Sequence, residues 1–171
     1  MLGNNLPKVP KRLFEKNINN ILDITLPILK KEVYYSKIII IAGQSFQQIK
    51  NSEYNNIKLI KNDNWSEFGN LYSLSLGFQN TEGPCLILYG DILFNRHALK
   101  KILSNHSHNF VIGYDNKWQT RYLSRKKISL KKVELLKIKN NKVAKTIKGI
   151  SSIDEIYNEF SGIFFISSKG T

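Results

Sequence analysis

Apolar residues at Ile18, Ile21, Leu22, Leu26, Leu29 and Val33 recur at helical spacing, and Lys30 and Lys31 fall late, where cations complement the helix dipole. This pattern predicts a first helix. Pro27 either kinks it or marks a restart after a Thr25 cap, because an interior proline removes a donor and clashes with the preceding turn. Lys37 to Ala42 is short, apolar and β-branched, which predicts a strand buried on both faces of a sheet, ended by Gly43. Ile57 to Ile60 reads as a second strand and the polar stretch 62–70 as a loop. Asn70 then caps a helix whose Leu71, Leu74 and Phe78 share one face. Cys85 to Tyr89 is another buried strand with Gly90 and Asp91 at its carboxyl end, followed by a helix over Asn95–Leu103 and a strand over Asn109–Tyr114.

Strands alternating with helices through short connections imply right-handed crossovers and a mostly parallel sheet covered on both faces, a three-layer α/β fold. The character changes after Asp115. Val133, Leu135, Leu136 and Ile138, an Asn140-Asn141 turn, then Val143 and Ile147 predict a twisted hairpin, and Gly162 to Ile166 one more strand. Phe160, Phe164 and Phe165 are assigned to the core. With no internal repeat and no low-complexity linker, residues 1–171 read as one domain.

Composition narrows the classes. With 42% hydrophobic and 11% aromatic residues, 171 residues suffice for a packed core. No apolar run reaches the roughly 20 residues of a membrane helix, and Pro7, Lys8, Pro10 and Lys11 occupy the place of a signal peptide's apolar stretch, so a soluble, cytoplasmic protein is expected. One cysteine excludes an internal disulfide. Three histidines make a zinc cage of thiolates and imidazoles a poor fit, leaving an oxygen-bound metal as the expected kind. Charge is uneven: residues 117–148 hold twelve Lys or Arg against Glu134 alone, which places +11 of the net +13 there. Such a stretch is either a solvated basic face or a surface for polyanions.

In an open sheet, ligands gather beyond the carboxyl ends of strands, where Asp91 stands. A carboxylate there suits Mg²⁺, which takes one or two carboxylates plus phosphate and water oxygens, and Gly90 lets backbone and ligand approach closely. The competing reading is that Asp91 caps the helix that follows.

Pro10-Lys-Arg-Leu13, Asn17-Ile-Asn-Asn-Ile-Leu22, Ile38-Ile-Ile-Ile-Ala-Gly43, Asn70-Leu-Tyr-Ser-Leu74 and Leu88-Tyr-Gly-Asp91, in that order, resemble successive landmarks of the MobA-like and sugar-phosphate nucleotidyltransferases. Within that group, the stretches through Ser73 and from Tyr89 to Phe94 look most like the phosphocholine and phosphonate cytidylyltransferases. Asp115-Asn-Lys-Trp118 and Glu159-Phe-Ser-Gly162 are similar to the phosphonate branch.

The resemblance implies a nucleotide-diphospho-sugar transferase (GT-A-like) sheet, here incomplete and carrying the basic hairpin as an insertion. It implies transfer of a nucleoside monophosphate, CMP from CTP, to a small phosphate- or phosphonate-bearing acceptor with release of pyrophosphate. Lys11 and Asp91 are then the catalytic candidates, Asp91 the Mg²⁺ ligand, and Lys11, Asn70, Ser73, Gly90 and Asp115 the candidates for nucleotide or acceptor binding.

The family pattern also begins with a buried strand and a Gly-rich loop that cradles the triphosphate, and Met1 to Pro7 supplies neither. The expectation is a domain truncated at both ends, from a misplaced start, a split gene or a remnant retained for binding, and of doubtful activity in this form. Two other classes remain. Nucleotide-sugar glycosyltransferases of similar fold present two acids separated by one residue after this strand, whereas Ile92 and Leu93 follow Asp91. A nucleic-acid-binding module, the lesser partner reading, would use Trp118 and Tyr122 among the cations to stack bases.

Overall fold

The computed structural model describes residues 21–169 apart from 36, 52–53, 55, 124–129 and 152–156. The first helix, α1 (Leu22–Glu32), runs through Pro27 without a break. Thr25 does not cap a restart; its hydroxyl donates back to the Ile21 carbonyl at 3.2 Å. The part of the first helix predicted before Ile21 lies outside the described residues.

Strand β1 (Ile38–Ala42) pairs in parallel with β2 (Ile57–Lys61), and a short helix, α2 (Phe46–Lys50), connects them. The four isoleucines of β1 are half-buried rather than buried on both faces. Among the described residues β1 has β2 as its one ladder partner and α3 packed against it. Helix α3 (Trp65–Phe78) begins inside the stretch read as a loop. It breaks at Gly69, whose φ of 63° and ψ of −159° are open to glycine and costly for other residues. The periodic segment from Asn70 is therefore the second half of a kinked helix, and Leu71 on it is 80% exposed, not part of a buried face.

The second sheet holds β3 (Cys85–Leu88), β4 (Phe110–Asp115), β5 (Glu134–Lys139), β6 (Lys142–Lys148) and β7 (Asn158–Ile166). Each of its pairings is antiparallel. A mostly parallel sheet therefore describes β1 and β2 but not this layer. β3 and β4 do run the same way, as their crossover through α4 (Arg96–Leu103) requires, yet β7 inserts between them: Phe164 faces Ile87 on one side and Ile112 on the other. Sequence reading placed β7 last and found its apolar core; pairing partners are not encoded in local periodicity.

Two clusters make up the core. Ile102 of α4 packs on Ile163 and Phe165, with Leu86, Leu88, Ile92 and Val111 around them. A second forms where Trp118, at the start of α5 (Trp118–Leu123), meets Val133 and Leu135. Helix α4 is capped by Asn95, whose side chain accepts from the Ala98 amide at 2.8 Å, so the capping role considered for Asp91 belongs to Asn95. No described helix is long and apolar enough to cross a membrane.

Glu32 joins α1 to α4. Its side chain is 5% exposed and contacts Arg96 and, at 3.3 Å, Lys100. Burial works to raise its pKa, but hydrogen bonds and charge from Arg96 and Lys100 outweigh it and hold the carboxyl below its ordinary value. A depressed carboxylate stabilises the fold above its unfolded pKa and ceases to do so as pH falls through its folded value. Glu32→Gln should lower the thermal midpoint at neutral pH and flatten the acid limb of the midpoint-versus-pH curve. The two proteins should converge once the pH is below the carboxylate range.

Candidate functional site

The site begins with a handover along one edge of β7. β3 occupies that edge from Ile166 to Ile163, and the Tyr89 amide extends the pairing by donating to the Gly162 carbonyl at 2.9 Å. Further along, β5 takes the place of β3, with Leu135 opposite Glu159 and Leu136 opposite Asn158. Because β4 spans the other edge from Phe110 to Asp115, β3 and β5 lie on the same side and in line. The chain must leave β3 at Gly90 and Asp91, close to where β5 starts at Glu134.

Tyr89 records this convergence. Burial pushes its phenol above the ordinary tyrosine range; the carboxylates of Glu134 and Asp91 push in the same direction, and a hydrogen bond with Asn70 opposes them. Its ring meets Phe160 edge-on at 5.4 Å between centroids. Asn70 and Glu134 thus both hydrogen-bond Tyr89, and Asp91 is near enough for its charge to act on it. Asp91 and Gly90 are exposed, and a β-carbon on Gly90 would meet no atom within 4 Å, so open space adjoins Gly90.

The remaining candidates sit elsewhere. Ser73 turns inward, where its hydroxyl accepts from the Asn62 side-chain amide at 2.9 Å. Asn62 is 2% exposed; it also accepts from the Asn64 amide and donates its own to the Ala42 carbonyl, tying both parallel strands to α3. Asp115 lies across β7, opposite Glu159, and its carboxylate accepts from the Lys117 amide at 2.8 Å in a local turn. Lys11 lies outside the described residues.

Three residues escaped sequence reasoning as site members. Tyr89 belongs to a stretch already singled out, but its role follows from β3 and β5 being in line. Glu134 carried one available signal, as the lone acid within the basic segment. Asn62 carried none, since a buried polar side chain in an apparent loop has no periodic signature. Trp118 also changes meaning. It is fully buried, with its indole N–H donating to the Tyr157 carbonyl at 2.9 Å, and the Tyr122 hydroxyl is bonded to Glu159. These rings serve the fold and do not offer faces to bases.

As to metal binding, the donors fit a hard cation in kind: the Glu134 carboxylate hydrogen-bonds Tyr89, the charge of Asp91 is felt there, and the chemistry is all oxygen. Among the described residues, however, no group of three or more His, Cys, Asp or Glu gathers as a ready cage. A cation here would need oxygens from a bound ligand. Burial raises the Cys85 pKa, against a hydrogen bond from Thr81 and the charge of Lys37, which favours the neutral thiol.

Gly162 fixes the geometry. Its φ is 76°, and a β-carbon there would stand 2.8 Å from Ile92 Cγ2 and 3.3 Å from Tyr89 Cβ. Gly162→Ala should cost about 1–3 kcal/mol for the backbone conformation alone, with the steric contact added. Urea denaturation followed by circular dichroism should show a lower midpoint with an unchanged slope.

No protein-family model and no curated protein matches the chain. Among solved structures, the chain is similar to the inositol-1-phosphate CTP transferase from T. maritima, with a TM-score of 0.62 at 20% identity over 86% of this chain. It spans 58% of that protein's length. The likeness is one of architecture, and it shows that this chain shares an α/β fold with that structure.

Proposed function

We propose that the protein belongs to a nucleotidyltransferase that transfers CMP from CTP to a small acceptor bearing a phosphate or phosphonate. The observation that carries this reading is that Asn70 and Glu134 hydrogen-bond Tyr89 within range of the Asp91 charge, at the strand end, in a fold similar to that of a CTP transferase. In the reaction, an acceptor oxygen forms a bond to the α-phosphorus of CTP, the bond from that phosphorus to the bridging oxygen breaks, and pyrophosphate departs with the electron pair. No redox partner is needed, so the protein's task is to position the reactants and balance their charge.

Asp91, which is exposed, is the residue that would hold Mg²⁺, with Glu134 as a second carboxylate near it. When bound, that ion supplies neutralisation of the triphosphate. Asn70 offers amide donors and an acceptor to ribose or phosphate oxygens, and its bond with Tyr89 orients it. Tyr89, a neutral phenol with its raised pKa, gives its proton to a hydrogen bond with the Glu134 carboxylate and so helps to orient that group. Ser73 and Asp115, set apart from this group, would act on more distant parts of a substrate, and Lys11 would bring a cation to the phosphates.

The whole protein, incubated with CTP, Mg²⁺ and either phosphocholine or 2-aminoethylphosphonate, should release pyrophosphate. Asp91→Asn should reduce turnover by about 10²–10³-fold, the usual loss of one preorganised electrostatic contact. Silence with all four nucleotides and both acceptors would rule the reading out. An unchanged rate in Asp91→Asn would remove Asp91 from the mechanism.

A further inference from the structure

Beyond Leu136, β5 keeps β6 as its one ladder partner among the described residues, so residues 137–145 form a two-stranded ribbon extending past the sheet. Asn140 and Asn141 close it with φ values of 51° and 57°, the paired left-handed conformation of a tight hairpin turn. Four lysines line it, in the register Lys137 opposite Lys145 and Lys139 opposite Lys142. Residues directly opposed across an antiparallel pair share a face, and so do residues two apart on one strand. Lys137 and Lys139 thus share a face, and a register shift between the two pairs, with one extra residue on β6, sets Lys145 and Lys142 opposite them although these are three apart in sequence; opposed Cα atoms lie about 5 Å apart and Lys137 and Lys139 about 7 Å apart.

That arrangement opposes the fold's own stability, because like charges placed opposite each other repel. Nothing nearby offsets it. The four side chains are exposed, no ion pair among the described residues includes them, and the sequence has no acid from Leu135 to Ile153. Lysines do protect sheet edges from unwanted pairing, but that protection gains nothing from setting them opposite one another twice. Among the described residues no acid balances them, so an anionic partner would gain by doing so.

We infer that this ribbon is a docking surface for the phosphate backbone of duplex DNA. The major groove, about 12 Å wide, admits a two-stranded β-ribbon, and phosphates there recur on a scale that a row of paired ammonium groups can neutralise. With Trp118 and Tyr122 committed to the fold, the ribbon has no ring to stack on unpaired bases, which favours a duplex over a single strand. An anionic bilayer is the weaker fit. Interfacial binding draws on Trp, Phe or Leu beside the cations, whereas the apolar pair here, Ile138 and Val143, lies on the opposite face. This inference is independent of the proposed transferase activity.

The test is a titration of the whole protein with a fluorescent DNA duplex of about 20 base pairs, two helical turns, at several salt concentrations. Four phosphate contacts predict a slope of log affinity against log salt of about −3.6, or a roughly 150-fold loss between about 50 and 200 mM salt. Lys142→Gln should reduce the magnitude of the slope by about 0.9. The combined K137Q/K139Q/K142Q/K145Q variant should lose the binding while its thermal midpoint holds or rises, because the opposed charges are gone. Equal binding and slope in the wild type and Lys142→Gln would overturn the inference. So would failure of the wild type to bind DNA at the lower salt, or its capture by phosphatidylserine vesicles in place of DNA.

Discussion

The structure turns on the backbone contact between Tyr89 and Gly162. At this point β7 loses β3 as a partner on one edge and soon gains β5, while β4 runs unbroken along the other. A side chain at residue 162 would require a costly positive φ and would press on Ile92 and Tyr89. Glycine lets the strands close up there, and the same closeness delivers Gly90 and Asp91 to the start of β5. Packing and candidate chemistry thus share one constraint: the sheet cannot form as it does without bringing Tyr89, Asp91 and Glu134 together.

Around that constraint the burial is uneven. Ile163, Phe165 and Ile102 form a dry core on one side of the sheet, and Trp118, Val133 and Leu135 another near the root of the hairpin. The β1–β2 pair is attached differently, through polar links. Asn62 spans from the Ala42 carbonyl to Ser73, and Lys37 donates to the Asn80 carbonyl at 2.6 Å. The buried bonds of Asn62, unlike the exposed one of Lys37, specify geometry more sharply than apolar contact does, because an unmet partner there is costly. That explains why Ser73, attractive as a ligand to substrate, is engaged with Asn62.

Much of this was legible in the chain. Strands at Ile38–Ala42, Ile57–Lys61, Cys85–Leu88 and Phe110–Asp115, the helix capped by Asn95, and the Asn140-Asn141 hairpin all announce themselves by local pattern and turn chemistry. The position of Asp91 at a strand end followed from the same pattern. What stayed hidden was non-local. The insertion of β7 between β3 and β4 depends on long-range pairing, which a period of two cannot report. The buried state of Trp118 depends on Tyr157 and Val133, distant in sequence. Leu71 misled in the opposite way: its helical spacing is real, but the kink at Gly69 leaves it exposed.

The two electrostatic features of the molecule are linked through one strand. Glu134 opens β5 beside Tyr89, and Lys137 follows three residues later, about 10 Å along an extended backbone. That distance is near the screening length of physiological salt, so the field of the lysines is attenuated at the strand end but not abolished. An anionic group approaching Asp91 would therefore meet both a local negative pair and the outskirts of a positive surface. A pair of carboxylates repels a triphosphate unless cations intervene; Lys137, three residues on, stands on the opposite face of β5 from Glu134 and acts there only through its longer-range field. The basic segment, which in the sequence reads as a feature separate from Asp91, is thereby part of the electrostatic setting in which Asp91 would act.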